Sequence, residues 1–351
     1  MMKATHFPAC YVEIPEERFH QVSGGARKRA PFYLAAEEWI VKNLPEGNYL
    51  FTWQVGRTVV MGRNQVAHQE VNLDFCRKHK IDVIRRKSGG GAIFADEGNI
   101  MMSLITPRGK VEDIFREYAD TEAEGLRRLG ADVEVHGRND VILIGKGKVC
   151  GNAFYHLGQR DVVHGTMLYD TDPDLLQGAL HSNPLKLKAK GVQSIRARVG
   201  VLKGMLNAPE GLSEQQEVKW LRDQLREMLT DRSITLKESD VREIEEIEQS
   251  YYEEDFLYGS SALDEEVREA RMEGCGTVEV HFKLKGSIVR NVYLTGDFFE
   301  LSDAQKAFRD AFVSVMFTKE NLIRAIRERH PESAIRNLCE EQLISLITNE
   351  Q

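Results

Sequence analysis

Residues 81–95 read IDVIRRKSGGGAIFA, in which a short apolar run leads through three basic residues and a serine into three consecutive glycines. The composition of residues 81–85 predicts a short β-strand. Three glycines in a row weaken any helix or strand interior, so Gly89, Gly90 and Gly91 predict a loop with unusual backbone angles. Such a loop can bring backbone N–H groups close to an anion, while the flanking Arg and Lys side chains supply positive charge. An ordinary turn is the alternative, because the segment lacks the Gly-Lys-Ser/Thr ending of the common phosphate loop.

Strand-like and helical patterns alternate around this loop. Apolar side chains recur at helical spacing in residues 68–80 and 111–129. Runs rich in β-branched and aromatic residues predict strands at 48–62 (broken at Gly56), 99–105, 132–135, 140–144, 148–154 and 162–169. Several connections are too short for the crossover of a parallel pair, so much of the pairing should be antiparallel. The fold class is therefore predicted as mixed α/β (α+β).

The later part of the chain predicts a separate, smaller module. Helical patterns at residues 212–229 and 240–252 lead into a strongly acidic stretch with a polar hinge around Gly259. Beyond it, residues 276–284 and 287–294 alternate with period two around a Lys-Gly turn, which predicts a β-hairpin. Helices are predicted at 302–316, 319–329 and 336–348. We expect a large domain at 1–255 with a variable N-terminal extension at 1–25, a hinge at 256–261, and a small α+β domain at 262–351.

The composition excludes several classes of protein. The chain has 351 residues, with 47 Lys and Arg against 55 Asp and Glu and a formal net charge of −8, which argues against a nucleic-acid coat protein. The five cysteines are odd in number and far apart, a pattern typical of a reducing compartment. No run reaches the roughly 18 apolar residues of a membrane span, and the N-terminal residues contain no signal-peptide core. These features predict a soluble, cytoplasmic protein without membrane or nucleic-acid partners.

A second cluster of polar residues lies downstream of the glycine triplet. The segment GRND at residues 137–140 precedes a glycine-rich stretch that contains Lys148. A lysine at a glycine-lined strand entry can contact a phosphate and a carbonyl oxygen together and stabilise charge as it develops. Asp140, which begins the preceding strand, can orient a cation. A hairpin with solvated lysines is the alternative.

Two further motifs have both a functional and an ordinary interpretation. His164 stands beside Gly165 and Thr166 at the start of an apolar strand, where a lone histidine is more often structural than catalytic. Residues 186–199, KLKAKGVQSIRARV, could close over a polyphosphate or meet an acidic partner, or could be an ordinary basic surface. The GxSxG, HExxH and Cys-x-x-Cys patterns are absent. The residues alone thus predict an α/β protein with a phosphate-binding pocket.

Taken together and in this order, these segments resemble the lipoate–protein ligase family. The most specific parts are Arg86, Ser88 and the glycine triplet, Lys148, and the run KGVQSIRARV at 190–199. The matching segments are residues 31–38, 53–64, 85–99, 137–140, 148–151, 164–170, 190–199 and 276–282. The resemblance implies a large mixed-sheet domain akin to the biotin ligases and class II aminoacyl-tRNA synthetases, with a small C-terminal accessory domain.

The resemblance also implies a two-step reaction. ATP and lipoate would give lipoyl-adenylate and pyrophosphate, and a lysine ε-amine on an acceptor domain would then attack the activated carbonyl. ATP and Mg²⁺ would be co-substrates, without a tightly bound prosthetic group. The implied acceptors are the lipoyl domains of 2-oxoacid dehydrogenase E2 subunits and the glycine cleavage H protein, and we expect a monomer.

The family's motifs imply roles for individual residues. Lys148 would bridge the acyl carbonyl and the α-phosphate, and Asp140 would be the Mg²⁺ ligand near the nucleotide, with Asn99 close by. The loop around the lipoyl chain and the mixed anhydride would be formed by Arg86, Ser88, Gly90, Gly91 and Ala92. Backbone contacts to the adenine would come from Val149, Gly151 and Asn152. The acyl pocket would be lined by His164, Gly165 and Thr166. The basic loop over the adenylate would carry Lys190, Ser194, Arg196 and Arg198.

The acyl chain needs an apolar wall. A separate observation is that every candidate for anion binding lies before residue 200. The apolar candidates for that wall are Val59, Met61, Ile93 and Met102. Because the anion-binding candidates all precede the C-terminal module, we expect adenylate formation to persist without that module more readily than acyl transfer does.

Two departures from the family's pattern keep other interpretations open. Ala95 stands where many members have His, and Tyr155 stands where an arginine often follows the lysine strand. A non-catalytic lipoate-binding paralogue is therefore one alternative. An ATP-independent octanoyl or lipoyl transferase is another, with Cys150 beside Lys148 as the nucleophile that carries a thioester.

Overall fold

The computed structural model describes residues 9–15, 29–137, 139–181, 199–258 and 266–349. Its strands are β1 (Ala9–Glu13), β2 (Tyr49–Trp53), β3 (Thr58–Met61), β4 (Asp82–Arg85), β5 (Ile93–Ala95), β6 (Asn99–Pro107), β7 (Val133–His136), β8 (Asp140–Leu143), β9 (Gly147–Leu157), β10 (Arg160–Leu168), β11 (Thr230–Thr235), β12 (Glu266–Met272), β13 (Gly276–Lys285) and β14 (Ile288–Gly296). Its α-helices are α1 (Ala30–Asn43), α2 (Ala67–Glu70), α3 (Leu73–His79), α4 (Val111–Arg128), α5 (Pro173–Ala179), α6 (Glu214–Leu229), α7 (Glu238–Glu248), α8 (Glu254–Tyr258), α9 (Ala304–Phe312), α10 (Lys319–Arg329) and α11 (Glu340–Thr348). Within these ranges, no helix combines the length and the apolar character that crossing a membrane requires.

A mixed sheet of eight strands forms the frame of the large domain, in the order β11-β1-β2-β6-β10-β9-β8-β7. Strand β1 pairs in parallel with β2 and β11, and the remaining pairs in this sheet are antiparallel. A second sheet, β4-β3-β5, has the glycine triplet in the connection between β4 and β5. The predicted mixed α/β class with much antiparallel pairing is confirmed.

Two elements of the large domain have no clear signal in the sequence. Helix α1 is buried along nearly its whole length, including the side chains of Glu37 and Glu38. A helix that is covered on all sides lacks the polar face that makes periodicity visible. Strand β1 lies inside the range expected to be a variable extension, yet it is an interior strand in which Ala9, Cys10 and Val12 are buried. Its five residues are too few for a period to be read.

The small domain combines an antiparallel sheet, β12-β13-β14, with helices α9 to α11. The predicted hairpin is confirmed, because β13 and β14 pair in antiparallel register and Gly286 has the positive φ of 62° that a tight hairpin turn favours. Phe282, Phe308 and Phe312 form part of a separate hydrophobic core. Helices α9 and α11 are shorter than the periodic patterns at 302–316 and 336–348 indicate.

The small domain packs directly against the glycine triplet of the large domain. The backbone N–H of Gly90 donates to the carbonyl of Phe298 at 3.2 Å. Phe299 enters the core of the large domain, where its ring centroid lies 5.7 Å from that of Phe115 and 5.9 Å from that of Phe154. A Cβ atom at Gly89 would lie 2.2 Å from the Phe298 carbonyl oxygen, so this contact requires glycine. The loop that binds the anion in our prediction is therefore also the docking surface of the small domain.

We expect Phe299→Ala to lower the free energy of unfolding by about 3 kcal/mol, because it leaves a cavity between the two domains. Chemical denaturation of the full chain measures this change. Met316→Ala is the control, since Met316 is a large apolar residue of the same small domain but is 51% exposed. A variant at Phe299 as stable as the control would contradict the docking described above.

Candidate active site

The β8–β9 hairpin brings Lys148 onto Asp140. The Lys148 Nζ atom lies 2.7 Å from Asp140 Oδ1, and both side chains are largely buried. The register of the hairpin shifts between Val141 and Ile142, which places Lys148 on the same face of the hairpin as Gly151. A Cβ atom at Gly151 would lie 2.3 Å from Lys148 Nζ, so the missing side chain of Gly151 makes room for the lysine. The spacing of glycine and lysine in the sequence thus has a steric reason.

The buried guanidinium of Arg86 holds the glycine triplet in shape. Its Nη2 donates to the carbonyls of Gly89 at 2.7 Å and Gly91 at 3.0 Å, and its Nη1 donates to the carbonyl of Val60. Its Nε donates to Ser88 Oγ at 2.9 Å. Burial lowers the pKa of Arg86 to about 10, which still leaves it a cation at neutral pH. Arg86 thus acts on the site by fixing the loop.

Three buried side chains, those of Ser88, His164 and Glu37, are linked in series next to this loop. Ser88 Oγ lies 2.7 Å from His164 Nε2, and His164 Nδ1 lies 2.8 Å from Glu37 Oε1. Glu37 also accepts hydrogen bonds from Ser103 Oγ and from the hydroxyl of Tyr155. Three side chains thus form hydrogen bonds with the buried carboxyl group of Glu37. No pattern in the sequence singles out Glu37, because its partners come from β6, β9 and β10.

Both residues that depart from the family pattern, Ala95 and Tyr155, are buried and do not line the pocket. Burial raises the pKa of Tyr155 well above its usual value, so its hydroxyl stays protonated and donates to Glu37. Ala95 is fully buried in β5, where it pairs with Thr58. Tyr155 thus has a structural role as a hydrogen-bond donor to Glu37.

A pocket with about 870 Å³ of empty volume, partly open to solvent, lies between these elements. The predicted site residues that line it are Arg86, Gly90, Gly91, Ala92, Asp140, Lys148, Gly151, Asn152, His164, Gly165 and Thr166. Other lining residues, which the sequence did not single out, are Leu34, Trp53, Val60, Met101, Asn139, Ala153, Arg271, Asp297 and Phe299.

Three predicted residues lie near the pocket but not on its wall. Ser88 is fully buried behind His164. Val149 points into the core, as its burial and its neighbours show. Asn99 donates to Asp96 Oδ1 at 2.9 Å and helps to fix the turn before β6. The predicted covering loop, with Lys190, Ser194, Arg196 and Arg198, lies outside the described residues.

Most apolar residues of the pocket wall come from one hydrophobic core cluster. These residues are Leu34, Trp53, Val60, Ile93 and Met101. Of the four residues predicted to line the acyl chain, only Ile93 lines the pocket. Val59, Met61 and Met102 belong to other core clusters, because successive strand residues point to opposite faces and the expectation chose the wrong face of β3 and β6.

The small domain completes the pocket wall with Arg271, Asp297 and Phe299. The pocket wall therefore includes residues beyond position 200, although the anion-binding candidates of the sequence all precede it. No motif marks these residues, since only the docking of the small domain brings them beside Lys148. Their place on the pocket wall therefore depends on the tertiary structure.

A buried acid, Glu122, lies behind the pocket on α4. Its Oε2 accepts a hydrogen bond of 2.6 Å from Asn152 Nδ2, and Asn152 lines the pocket. Burial raises the pKa of Glu122 to about 8, although the Asn152 hydrogen bond and the charge of Lys148 act in the opposite direction. Glu122 is therefore mostly protonated at neutral pH, which avoids a buried charge.

Cys150 is fully buried in the core of the large domain and does not line the pocket. Burial raises the pKa of its thiol well above the usual value. A nucleophilic thiol needs access and a lowered pKa. These facts count against the transferase alternative and agree with Cys150 as a small buried apolar residue.

An apolar wall, a lysine–aspartate pair and a glycine loop held by an arginine meet in one pocket on a mixed sheet. The sequence matches the family model for the lipoyl protein ligase A/B catalytic domain over residues 29–228 and the model for the bacterial lipoate protein ligase C-terminus over residues 265–347. The chain belongs to this family and is a lipoate–protein ligase.

Individual relatives agree with this assignment. "Lipoate--protein ligase 1" of Staphylococcus aureus is 31% identical over 321 residues, which cover 90% of this chain and 95% of the relative. "Lipoate-protein ligase LplJ" of Bacillus subtilis is 28% identical over 90% of this chain and 95% of its own length. The crystal structure of P. falciparum LipL1 in complex with lipoate covers 98% of this chain and all of that one, with a TM-score of 0.75 and 17% identity, and so shows the fold.

We expect Glu122→Gln to stabilise the protein in a pH-dependent way. Above about pH 4.5 the unfolded chain releases the Glu122 proton, whereas the folded chain retains it up to about pH 8, so the ionisable group costs the fold increasing stability across that window. The variant should gain roughly 1–4 kcal/mol at pH 8 and almost nothing near pH 4.5. Denaturation at several pH values measures this, and Glu124→Gln, at an exposed position of the same helix, should show no such trend.

We expect Cys150→Ala to leave ligase activity within roughly threefold of the wild type, because the thiol is sealed in the core. Lipoylation of an acceptor domain measures the rate. Loss of activity without loss of folding, judged by circular dichroism, would instead support the thioester mechanism.

Proposed function

We propose that this ligase activates lipoate with ATP to lipoyl-adenylate and then transfers the lipoyl group to a lysine of a lipoyl domain. The observation that carries the proposal is the Lys148–Asp140 ion pair on the pocket wall. Another side of the same pocket is apolar. Burying the acyl chain against that side stabilises the bound substrate by ~0.8 kcal/mol per CH₂ group. The polar side supplies the chemistry.

The first step joins two anions, the lipoate carboxylate and the α-phosphate of ATP, which repel each other. A cation between them lowers this repulsion and stabilises the charge of the transition state. We assign this role to Lys148. In the second step the substrate lysine attacks the mixed anhydride and AMP leaves, and Lys148 again stabilises charge on the carbonyl oxygen and the departing phosphate.

Asp140 fits the role of a magnesium ligand. Its carboxylate lies on the pocket wall, and carboxylates together with substrate phosphates form the usual ligand set of Mg²⁺. Magnesium would neutralise phosphate charge in the first step. If Asp140 binds the metal, Lys148 is released from its ion pair and becomes available to the substrate.

One relative supports a proposal for the class of acceptor. A structure titled as a bi-partite lipoate protein ligase and its E2 lipoyl domain, from Thermoplasma acidophilum, is 26% identical to this chain, with a TM-score of 0.58 and coverage of 74% of this chain and all of that one. We propose lipoyl domains of 2-oxoacid dehydrogenase complexes as acceptors, with the glycine cleavage H protein as a second candidate. We also propose that residues 190–198 contribute Lys190, Ser194, Arg196 and Arg198 to the nucleotide.

The test is the intact mass of a lipoyl domain after incubation with the protein, free lipoate and Mg²⁺, with and without ATP. We expect lipoylation only when ATP is present. We expect Lys148→Ala to slow it by roughly 10²–10³-fold, because the variant lacks the charge at the reacting carbonyl. Lys219→Ala, an exposed lysine of α6, is the control.

Two outcomes would contradict the proposal. Modification from an acylated carrier protein without ATP would support a transferase. Tight lipoate binding without any modification, unaffected by Lys148→Ala, would support a binding protein whose catalysis is lost.

A further inference from the structure

The side of the pocket formed by the small domain carries an arginine, Arg271 of β12. This residue lies far along the chain from the other cations of the site. It reaches the pocket wall because the small domain docks on the glycine triplet through the Gly90–Phe298 hydrogen bond. Its guanidinium contacts Asp297, which also lines the pocket.

The other cations described on the pocket wall are already committed. Arg86 uses its Nε, Nη1 and Nη2 to hold the loop. Lys148 is paired with Asp140 and, in the proposed reaction, serves the acyl carbonyl and the α-phosphate. The β- and γ-phosphates of ATP still require positive charge in addition to Mg²⁺. Within the described residues, Arg271 is the remaining cation on this wall.

The donors of Arg271 are suited to a phosphate. Its Nη1 donates to Thr277 Oγ1 at 3.0 Å and makes only a long contact of 3.4 Å with Asp297 Oδ2. Among the residues that the structure describes, its Nε and Nη2 make no hydrogen bond. A guanidinium offers two parallel N–H groups to a phosphate, and the Thr277 contact fixes the direction of this fork in advance.

We propose that Arg271 binds the β- and γ-phosphates of ATP, so that the small domain takes part in adenylate formation. The proposal rests on the ATP-dependent function proposed above and adds a binding residue from the second domain. Asp297, whose Oδ1 accepts from the backbone N–H of Thr277, keeps Arg271 in place until the nucleotide arrives. Lipoyl-adenylate lacks the β- and γ-phosphates, and therefore Arg271 acts in the first step and not in the second.

The chain around Asp297, the ion-pair partner of Arg271, is bound to residues 63 and 64 of the large domain. Gly296, at the end of β14, donates its N–H to the carbonyl of Asn64 at 2.9 Å, and Arg63 pairs with Glu300 at 3.4 Å. These contacts flank Asp297 on both sides in the chain. The arginine is thus set against the pocket by the same contacts that dock the small domain.

The experiment compares Arg271→Gln with Arg268→Gln in the full-length protein. Arg268 lies on the same strand, is as exposed as Arg271 (17% for both side chains) and pairs with a carboxylate, Glu266, but does not line the pocket. Lipoate-dependent exchange of labelled pyrophosphate into ATP reports the first step. Transfer from chemically prepared lipoyl-adenylate to a lipoyl domain reports the second.

For Arg271→Gln we expect the KM for ATP in the exchange reaction to rise at least roughly tenfold, since a charged hydrogen bond to phosphate is lost. The KM for lipoate and the rate of transfer from lipoyl-adenylate should stay within about twofold. Arg271→Lys should fall between the wild type and the Gln variant, because it keeps the charge but not the fork. Arg268→Gln should match the wild type in all of these measurements.

An unchanged KM for ATP, or an equal loss in both steps, would overturn the proposal while leaving the ligase function intact. Absence of exchange in the wild type would instead refute the ATP-dependent function itself. If Arg271→Gln does not fold, the Lys variant decides the question through its KM for ATP.

Discussion

The buried guanidinium of Arg86 is the interaction on which the site depends. Its hydrogen bonds to the carbonyls of Gly89 and Gly91 and to Ser88 define the shape of the glycine triplet. One side of that triplet faces the pocket, and another accepts the small domain through Phe298. Because a buried charge must have partners, the relay through His164 to Glu37 is part of the same constraint.

The hairpin that carries Lys148 is the second constraint on the site. It directs the lysine toward Asp140 beside an apolar wall. The register shift in β8–β9 turns the side chain toward Asp140, and Gly151 leaves the space it occupies. The ion pair with Asp140 offsets the cost of burying the lysine.

The two domains share one active site in this arrangement. Phe299 packs among the aromatic rings of the large domain, and Arg271 and Asp297 stand on the pocket wall. Any change that weakens the docking therefore changes the pocket as well. This coupling gives the small domain a physical reason to affect the chemistry of the large one.

The amino-acid sequence by itself determined the class of fold, the hairpins and the local motifs around Arg86 and Lys148, because glycine spacing, strand periodicity and charge are local properties. It did not identify Glu37, Glu122 or Arg271. It also indicated Met102 as a residue of the acyl wall, whereas the neighbouring Met101 lines the pocket. Those assignments depend on which face of a strand meets the core and on contacts between residues far apart in the chain. Only the tertiary structure fixes such contacts, since packing decides them rather than local preference.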